Sequence, residues 1–244
     1  MTMEQNRRYS SKDTHTRRLS IIVPTLNEAG TIGECIAAAR KACGSPEIIV
    51  VDGGSTDETL LLAKNANVVT ISAPRGRAAQ MNAGAENATG DIYIFLHADT
   101  RLPLDAASLI SDSLERGGVW GRFDIRIFPS HWLLRIVSLM MNLRSRVTGI
   151  ATGDQAIFVR REIFEKVGGF PMIPLMEDIA LSMRLKNIRR PVCISNPVVT
   201  SARRWQKNGM ARTIFLMWNL RLAFFLGASP QNLARRYRRS DPNA

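Results

Sequence analysis

The strongest constraint on this chain is an alternation. Four short apolar runs, "LSIIVPTL" (19–26), "EIIVVDGG" (47–54), "NVVTIS" (67–72) and "DIYIFLH" (91–97), are separated by stretches of helical character. Short runs rich in Ile and Val, bounded by Pro, Gly or Asp, read as buried strands. Between the first two lies "NEAGTIGECIAAARKAC", where Ile32, Ile36 and Ala39 recur at helical spacing. "STDETLLLAKNA" opens with a capping pattern in which Ser55 or Thr56 is the expected cap. "GRAAQMNAGAENA" (76–88) is an alanine-rich helix. Strand and helix in strict alternation predict a mostly parallel α/β sheet with helices on both faces. Ligands of such sheets sit beyond the carboxyl ends of the strands. The polar residues that follow each run, Pro24 to Glu28, Asp52 to Asp57, Pro74 to Arg77 and His97 to Asp99, therefore belong on one edge.

The rhythm changes after residue 100. "DAASLISDSLERG" reads as a helix, and "VWGRFDIRIF" (119–128) alternates like a half-exposed strand. A long helical stretch follows, then the polar turn and β-like run "GDQAIFVRREIF" (153–164), the acidic helix start "MEDIALSMRLKN" (176–187) and the extended "PVCISNPVVTSARRW" (191–205). The last forty residues read as helical. No internal repeat or linker divides the chain. The expectation is a basic flexible tail over 1–17, one α/β domain over 18–205, and a helical extension over 206–244 packed on that domain.

Hydrophobic residues make up 45% of the 244, enough for one sizeable core, and the net charge of +12 favours anionic partners. The arginines cluster in the tails (Arg7, Arg8, Arg17 and Arg18; Arg235, Arg236, Arg238 and Arg239) rather than along one helix face. No nucleic-acid module is present, so no nucleic-acid partner is expected. Cys35, Cys43 and Cys193 form no C-x-x-C pair and no metal-ligand spacing, and the polar N-terminus has no apolar signal core. A cytoplasmic protein is expected. "TIFLMWNLRLAFFLGA" (213–228) is too short and too interrupted, by Asn219 and Arg221, to span a bilayer. As a helix it is apolar around most of its circumference, which normally means burial; the sharper alternative is peripheral contact with the membrane surface.

Several polar groups bear chemistry. Asp52-Gly53-Gly54-Ser55-Thr56-Asp57 ends a strand and opens a helix, so its glycines admit a ligand to the backbone and Asp52 can accept from a base or ribose. It is neither a dinucleotide fingerprint nor a phosphate-binding loop with a lysine. Arg75 and Arg77 flank a glycine before a helix and suit a diphosphate. Glu177 and Asp178 open a helix, where they complement its dipole or serve as a general base. Gly153-Asp154-Gln155 is a polar turn, and Arg203-Arg204-Trp205 sets two cations beside an aromatic that can stack on a sugar or base.

In order and spacing, "IIVPTLNE", "VVDGGSTDET", "GRAAQMNAGA", "FLHADT" and "MEDIALSMRL" resemble the family 2 glycosyltransferases with a GT-A fold, from about residue 19 to residue 205. The chain looks most like the small bacterial subgroup labelled radical-SAM/selenodomain-associated transferases. The resemblance implies a Rossmann-like GT-A sheet flanked by helices, with a helical C-terminal segment. It implies a nucleoside-diphosphate sugar donor, UDP-linked in the first instance, an unknown hydroxyl acceptor, inversion at the anomeric carbon, and Mg2+ or Mn2+. By the same resemblance Pro24, Thr25, Asn27, Glu28 and Asp52 hold the nucleobase and ribose, and Arg77 lies near the nucleotide. The family's strand-end D-x-D motif maps to His97-Ala98-Asp99, with Asp99 as metal ligand. Asp178, paired with Glu177, is the base. Asp154, Gln155, Arg203, Arg204 and Trp205 fall on the acceptor or diphosphate side.

Two departures stand out. Gly53 replaces the second aspartate of the usual Asp-Asp-Gly-Ser, and His97 replaces the first aspartate of D-x-D. Mg2+ commonly takes one or two carboxylates plus substrate phosphates, so Asp99 alone suffices as the protein ligand. His97 is then free to bond the donor ribose or a metal-bound water. The competing readings are a catalytically silent nucleotide- or glycan-binding protein on the same scaffold, which these two departures favour, and a nucleic-acid-binding protein.

Overall fold

The computed structural model describes residues 17–203, 205 and 209–240. Its first half follows the predicted order: β1 (Leu19–Thr25), α1 (Ile32–Cys43), β2 (Glu47–Asp52), α2 (Thr59–Asn65), β3 (Val69–Ser72), α3 (Arg77–Asn87) and β4 (Ile92–Phe95). Then come β5 (Thr100–Arg101), α4 (Ala106–Glu115), β6 (Trp120–Phe128), α5 (Trp132–Thr148) and a 3-10 turn at Gly153–Gln155. The chain continues through β7 (Ile157–Arg160), α6 (Arg161–Lys166), α7 (Glu177–Ile188), β8 (Val192–Ser201), α8 (Met210–Phe225) and α9 (Pro230–Ser240).

The strands form one eight-stranded sheet in the order β3-β2-β1-β4-β7-β6-β8-β5. Pairings β1–β2, β1–β4, β2–β3 and β6–β8 are parallel, and β7 runs antiparallel between β4 and β6. Alternate strand residues serve two helical layers. Ile21, Val23, Ile48, Val50, Ile92 and Ile94 pack with α1 and α4, whereas Ile22, Ile49, Val51, Tyr93 and Phe95 pack with α3 and α7. Burial on both faces explains why these strands read as unbroken apolar runs.

The sheet order reverses between β1 and β4, because β2 lies on one side of β1 and β4 on the other. A crevice opens beyond the strand ends at such a switch point. Register brings Thr25 beside Asp52, and Asp52 beside Ser72, along that edge.

Three local expectations are corrected. Helix α2 starts at Thr59 and neither Ser55 nor Thr56 caps it. Ser55 is drawn back to Asp52, while Asp57 accepts from the Thr59 amide at 3.0 Å. The first four residues of β6 are all buried, with alternation beginning only at Asp124, because both layers cover the strand's start. Helix α8 is not buried over most of its surface: only Thr213 and Leu220 are. It docks through one edge, where Leu220 and Leu233 of α9 meet Ile150, Met176 and Ile179. Among the described residues no helix is long and apolar enough to cross a membrane.

Candidate functional site

A cleft of about 1920 Å³ opens at the switch point, and four separate strand ends supply its floor. Pro24, Thr25, Asn27 and Glu28 line it after β1, Gly53, Gly54 and Thr56 after β2, Arg75 and Arg77 after β3, and His97, Ala98 and Asp99 after β4.

The loops after β1 and β2 are locked to one another. Asn27 Oδ1 accepts from the Thr56 amide at 2.8 Å, and the Asn27 amide donates to Ser55 Oγ at 2.9 Å. The Glu28 amide donates to Thr59 Oγ1 at 2.7 Å. The Asp52 carboxylate accepts from the amides of Gly54 (3.0 Å) and Ser55 (2.9 Å), so it shapes its own turn while Gly53, Gly54 and Thr56 form the surface. Sequence reasoning missed Gln80, whose Nε2 donates to the carbonyls of Thr25 and Val51, each at 2.8 Å. It also bears on Gly53: a Cβ there would stand 3.0 Å from Gln80 Nε2, so an aspartate would press on the amide that bonds Thr25 and Val51. A glutamine in an otherwise alanine-rich first turn was the available signal.

The strand-end motif meets a partner from a distant loop. His97 Nδ1 lies 3.2 Å from Asp154 Oδ1. The ring packs so closely on the 3-10 turn that a Cβ on Gly153 would sit 2.6 Å from His97 Nε2. Asp154 thus brings a carboxylate beside the first position of the motif. Asp99 is held above the usual carboxylate range, mainly by burial, with His97 opposing and Asp154 and Glu28 adding to the rise. Across the cleft, burial disfavours the Arg77 charge, but Glu177, Asp154, Asp178 and Asp99 together outweigh it and keep its guanidinium above its ordinary value. Arg77 is open to solvent yet walled by carboxylates, as the mouth of a deep cleft allows.

The acidic pair divides. Glu177 lines the cleft, is 5% exposed, and is pushed up to about 6, first by burial and then by Asp178. Asp178 accepts from the amides of Gly153 (2.8 Å) and Ile179 (2.7 Å). These bonds tie the start of α7 to the turn that carries Asp154. Met176 (φ 70°) and Ala156 (φ 45°) adopt left-handed backbone beside these residues, a strain usually retained where geometry serves a site.

The remaining expected residues are scattered in role. Arg203 Nη2 donates to both Glu28 oxygens at 2.7 and 2.8 Å, so it braces the β1 loop. That bond is the main reason its guanidinium is held above its ordinary value. Trp205 lines the cleft and packs on the core. Gln155 does not face the cleft as expected: it is fully buried and its Oε1 accepts from the Thr152 amide at 3.1 Å, because it closes the capping box of the 3-10 turn. Arg204 lies outside the described residues.

Among the described residues no three His, Cys, Asp or Glu side chains group as a metal cage. The donor set still fits a hard cation that takes most of its ligands from a substrate. Asp99 is a half-buried carboxylate crowded by Asp154 and Glu28, and a cation would relieve that crowding.

Comparison with known proteins agrees with this geometry. The model of glycosyl transferase family 2 matches residues 20–168. A PGL/p-HBAD biosynthesis glycosyltransferase of Mycobacterium bovis BCG is 30% identical over 196 residues, covering 75% of this chain and 72% of that protein. Solved structures share the fold. S. aureus TarS superposes with a TM-score of 0.62 at 18% identity, over 76% of this chain and 60% of that one. The mannosyltransferase PcManGT of Pyrobaculum calidifontis, in complex with GDP-Man and Mn2+, gives 0.56 at 24% identity over 77% and 57% of the two chains. Glucosyl-3-phosphoglycerate synthase of Mycobacterium tuberculosis, with Mn2+, uridine-diphosphate and glucosyl-3-phosphoglycerate, gives 0.57 at 17% identity over 82% and 78%. A mostly parallel sheet whose strand-end loops converge on one cleft, the matched family model and a curated relative spanning most of the chain lead to one assignment: this chain belongs to glycosyl transferase family 2 and carries its GT-A fold.

Proposed function

We propose that the protein transfers a sugar from a nucleoside-diphosphate sugar to an acceptor hydroxyl, with inversion and with help from Mg2+ or Mn2+. The observation that carries this reading is convergence: Thr25, Gly53, Arg77, Asp99 and Glu177, from five segments of the chain, line one cleft. The bound UDP and GDP-Man of the structural relatives support a nucleotide donor, with UDP as the first candidate.

The nucleoside lies against the interlocked β1 and β2 loops, whose backbone Asn27, Ser55 and Thr56 hold rigid. Arg77 faces the diphosphate. Asp99 would hold a divalent ion, with His97 and Asp154 beside it, and such an ion would supply charge neutralisation of the leaving diphosphate. His97, bonded to Asp154, presents its other ring nitrogen toward the Gly153 backbone and keeps that loop close to the motif. Asp178 accepts the proton of the attacking hydroxyl. Its two amide bonds fix the carboxylate in place, and buried Glu177, pushed up to about 6, lies beside it.

The test is a thermal-shift screen of UDP- and GDP-sugars with and without Mn2+, followed by measurement of nucleotide release. Metal-dependent stabilisation with turnover is expected. Metal-dependent nucleotide binding with no turnover of any donor, with or without added acceptors, would favour a silent binding protein on this scaffold.

A further inference from the structure

Helix α5 and its neighbours show what a structural arginine looks like in this protein. Arg122 is fully buried and saturated: Nε donates to Ser145 Oγ at 3.0 Å, Nη2 to the Asn142 carbonyl at 3.1 Å, and Nη1 to Asp124. Arg146 takes the other Asp124 oxygen at 2.6 Å and Ser195 Oγ at 3.2 Å. Arg144, on the same helix, differs. Its Nε and Nη2 are buried with no hydrogen-bond partner, and so is Nε of Arg221 on α8. Both residues line the cleft.

The two guanidiniums are close enough to oppose each other. Burial, and then Arg221, draw Arg144 down to about 10, while Asp178 and Asp154 pull the other way. Arg144 therefore feels both Arg221 and the carboxylates of Asp154 and Asp178. Asp124, the carboxylate nearest to hand on β6, is already shared by Arg122 and Arg146. Burying cationic donors without partners is costly, and a fold that retains two of them on a cleft wall leaves their partner to a ligand.

The same two helices also bring apolar side chains to the cleft. Ile136 and Met140 of α5 and Trp218, Leu222 and Phe225 of α8 line the same cleft, and Trp218 is 56% exposed despite its size. Two cations and apolar side chains lining one cleft match a ligand with an anionic head and an apolar chain. Two forked guanidiniums carry two charges, which suits the dianion of a phosphate monoester better than a single carboxylate.

We propose that Arg144 and Arg221 bind the phosphate of an amphiphilic acceptor whose apolar chain lies between α5 and α8. This names the acceptor class and rests on the glycosyltransferase reading above. The phosphate can come from a dispersed amphiphile or from a lipid in a bilayer, and two arms separate these sources. One arm titrates monododecyl phosphate below its micelle concentration, following Trp218 fluorescence. The other uses phosphatidylcholine vesicles with and without phosphatidic acid. Both are run on the full chain and on Arg144→Met and Arg221→Met, with Mn2+-dependent UDP binding as an independent readout of the donor side.

The wild type is expected to bind at least one of these phosphate probes, with affinity falling at least about 10-fold in each variant and with UDP binding unchanged. Response to monododecyl phosphate identifies the dispersed source, and response to phosphatidic acid vesicles alone identifies the bilayer. Each variant should also melt at a higher temperature than the wild type without ligand, since an unpaired buried charge is gone; an arginine that merely supported the fold would give the opposite shift. Binding in neither arm, or binding that survives both substitutions, overturns the proposal. Arginine-dependent phosphate binding in a protein that fails to bind any nucleotide would keep this site and sink the glycosyltransferase reading instead.

Discussion

The two sides of the cleft are built on opposite principles. On the wall built by the β1 and β2 loops the polar groups are tied to one another: Asn27 to Ser55 and Thr56, Glu28 to Thr59 and Arg203, and Gln80 to Thr25 and Val51. On the far side, α5 and α8 expose large apolar residues and leave Arg144 and Arg221 unsatisfied. A surface whose polar groups already bond one another is preorganised for a constant ligand part, such as a nucleoside diphosphate. A surface with unmet charge and uncovered apolar area is incomplete without its ligand. The difference contrasts a cleft wall that is complete by itself with one that is not.

Substitutions can break that contrast, from the most severe effect to the mildest. Asp178→Asn should lower transfer by about 10²- to 10⁴-fold, the range of a lost general base, while Mn2+-dependent UDP binding persists. Loss of nucleotide affinity alongside activity would mean that Asp178 serves the fold of the 153–155 turn rather than the proton. Glu177→Gln sharpens the same point through stability. With Glu177 raised from 4.5 to about 6, the folded state holds its proton more tightly than the unfolded chain, so stability falls as pH rises from about 4.5 through 6. The glutamine removes that penalty and should gain about 2 kcal/mol over wild type at pH 8, and little at pH 4, by urea unfolding. A gain independent of pH would contradict the assignment.

Gly53→Asp restores the residue usual in the family and should nevertheless cost about 1 kcal/mol, because its side chain meets Gln80. In a Gln80→Ala background, itself weakened by the loss of two buried hydrogen bonds, the added cost of Gly53→Asp should largely vanish in the same unfolding measurement. Arg203→Ala removes an exposed ion pair to Glu28 and should change stability by less than about 1 kcal/mol, while raising the donor KM a few-fold as the β1 loop loosens. An unchanged KM would show that the loop needs no brace.

The same contrast marks what the sequence made legible. Three of the four parallel strands, β1, β2 and β4, were readable because two-sided burial writes them as unbroken apolar runs, and their polar ends fell on one edge as sheet topology requires. Contacts between distant loops were not readable. Nothing in local pattern places Asp154 against His97, fifty-seven positions earlier, or gives both Glu28 oxygens to Arg203. Gln155 looked like a ligand residue because a polar turn carries the same residues whether they face a substrate or close a capping box. Helix α8 misled for a related reason. An apolar circumference signals that something covers a helix, but not whether that cover is this protein's own core.

The central claim is that the strand end at His97-Ala98-Asp99 works as the donor's metal position although its first aspartate is absent. The direct measurement is nucleotide release from the best-bound donor across a Mn2+ titration, for wild type, His97→Asp and Asp99→Asn. The account predicts that His97→Asp keeps metal-dependent turnover and that Asp99→Asn loses about 10³-fold, as expected when several kcal/mol of charge stabilisation are removed. Full turnover in Asp99→Asn together with loss in His97→Asp would make the histidine the working ligand and contradict it.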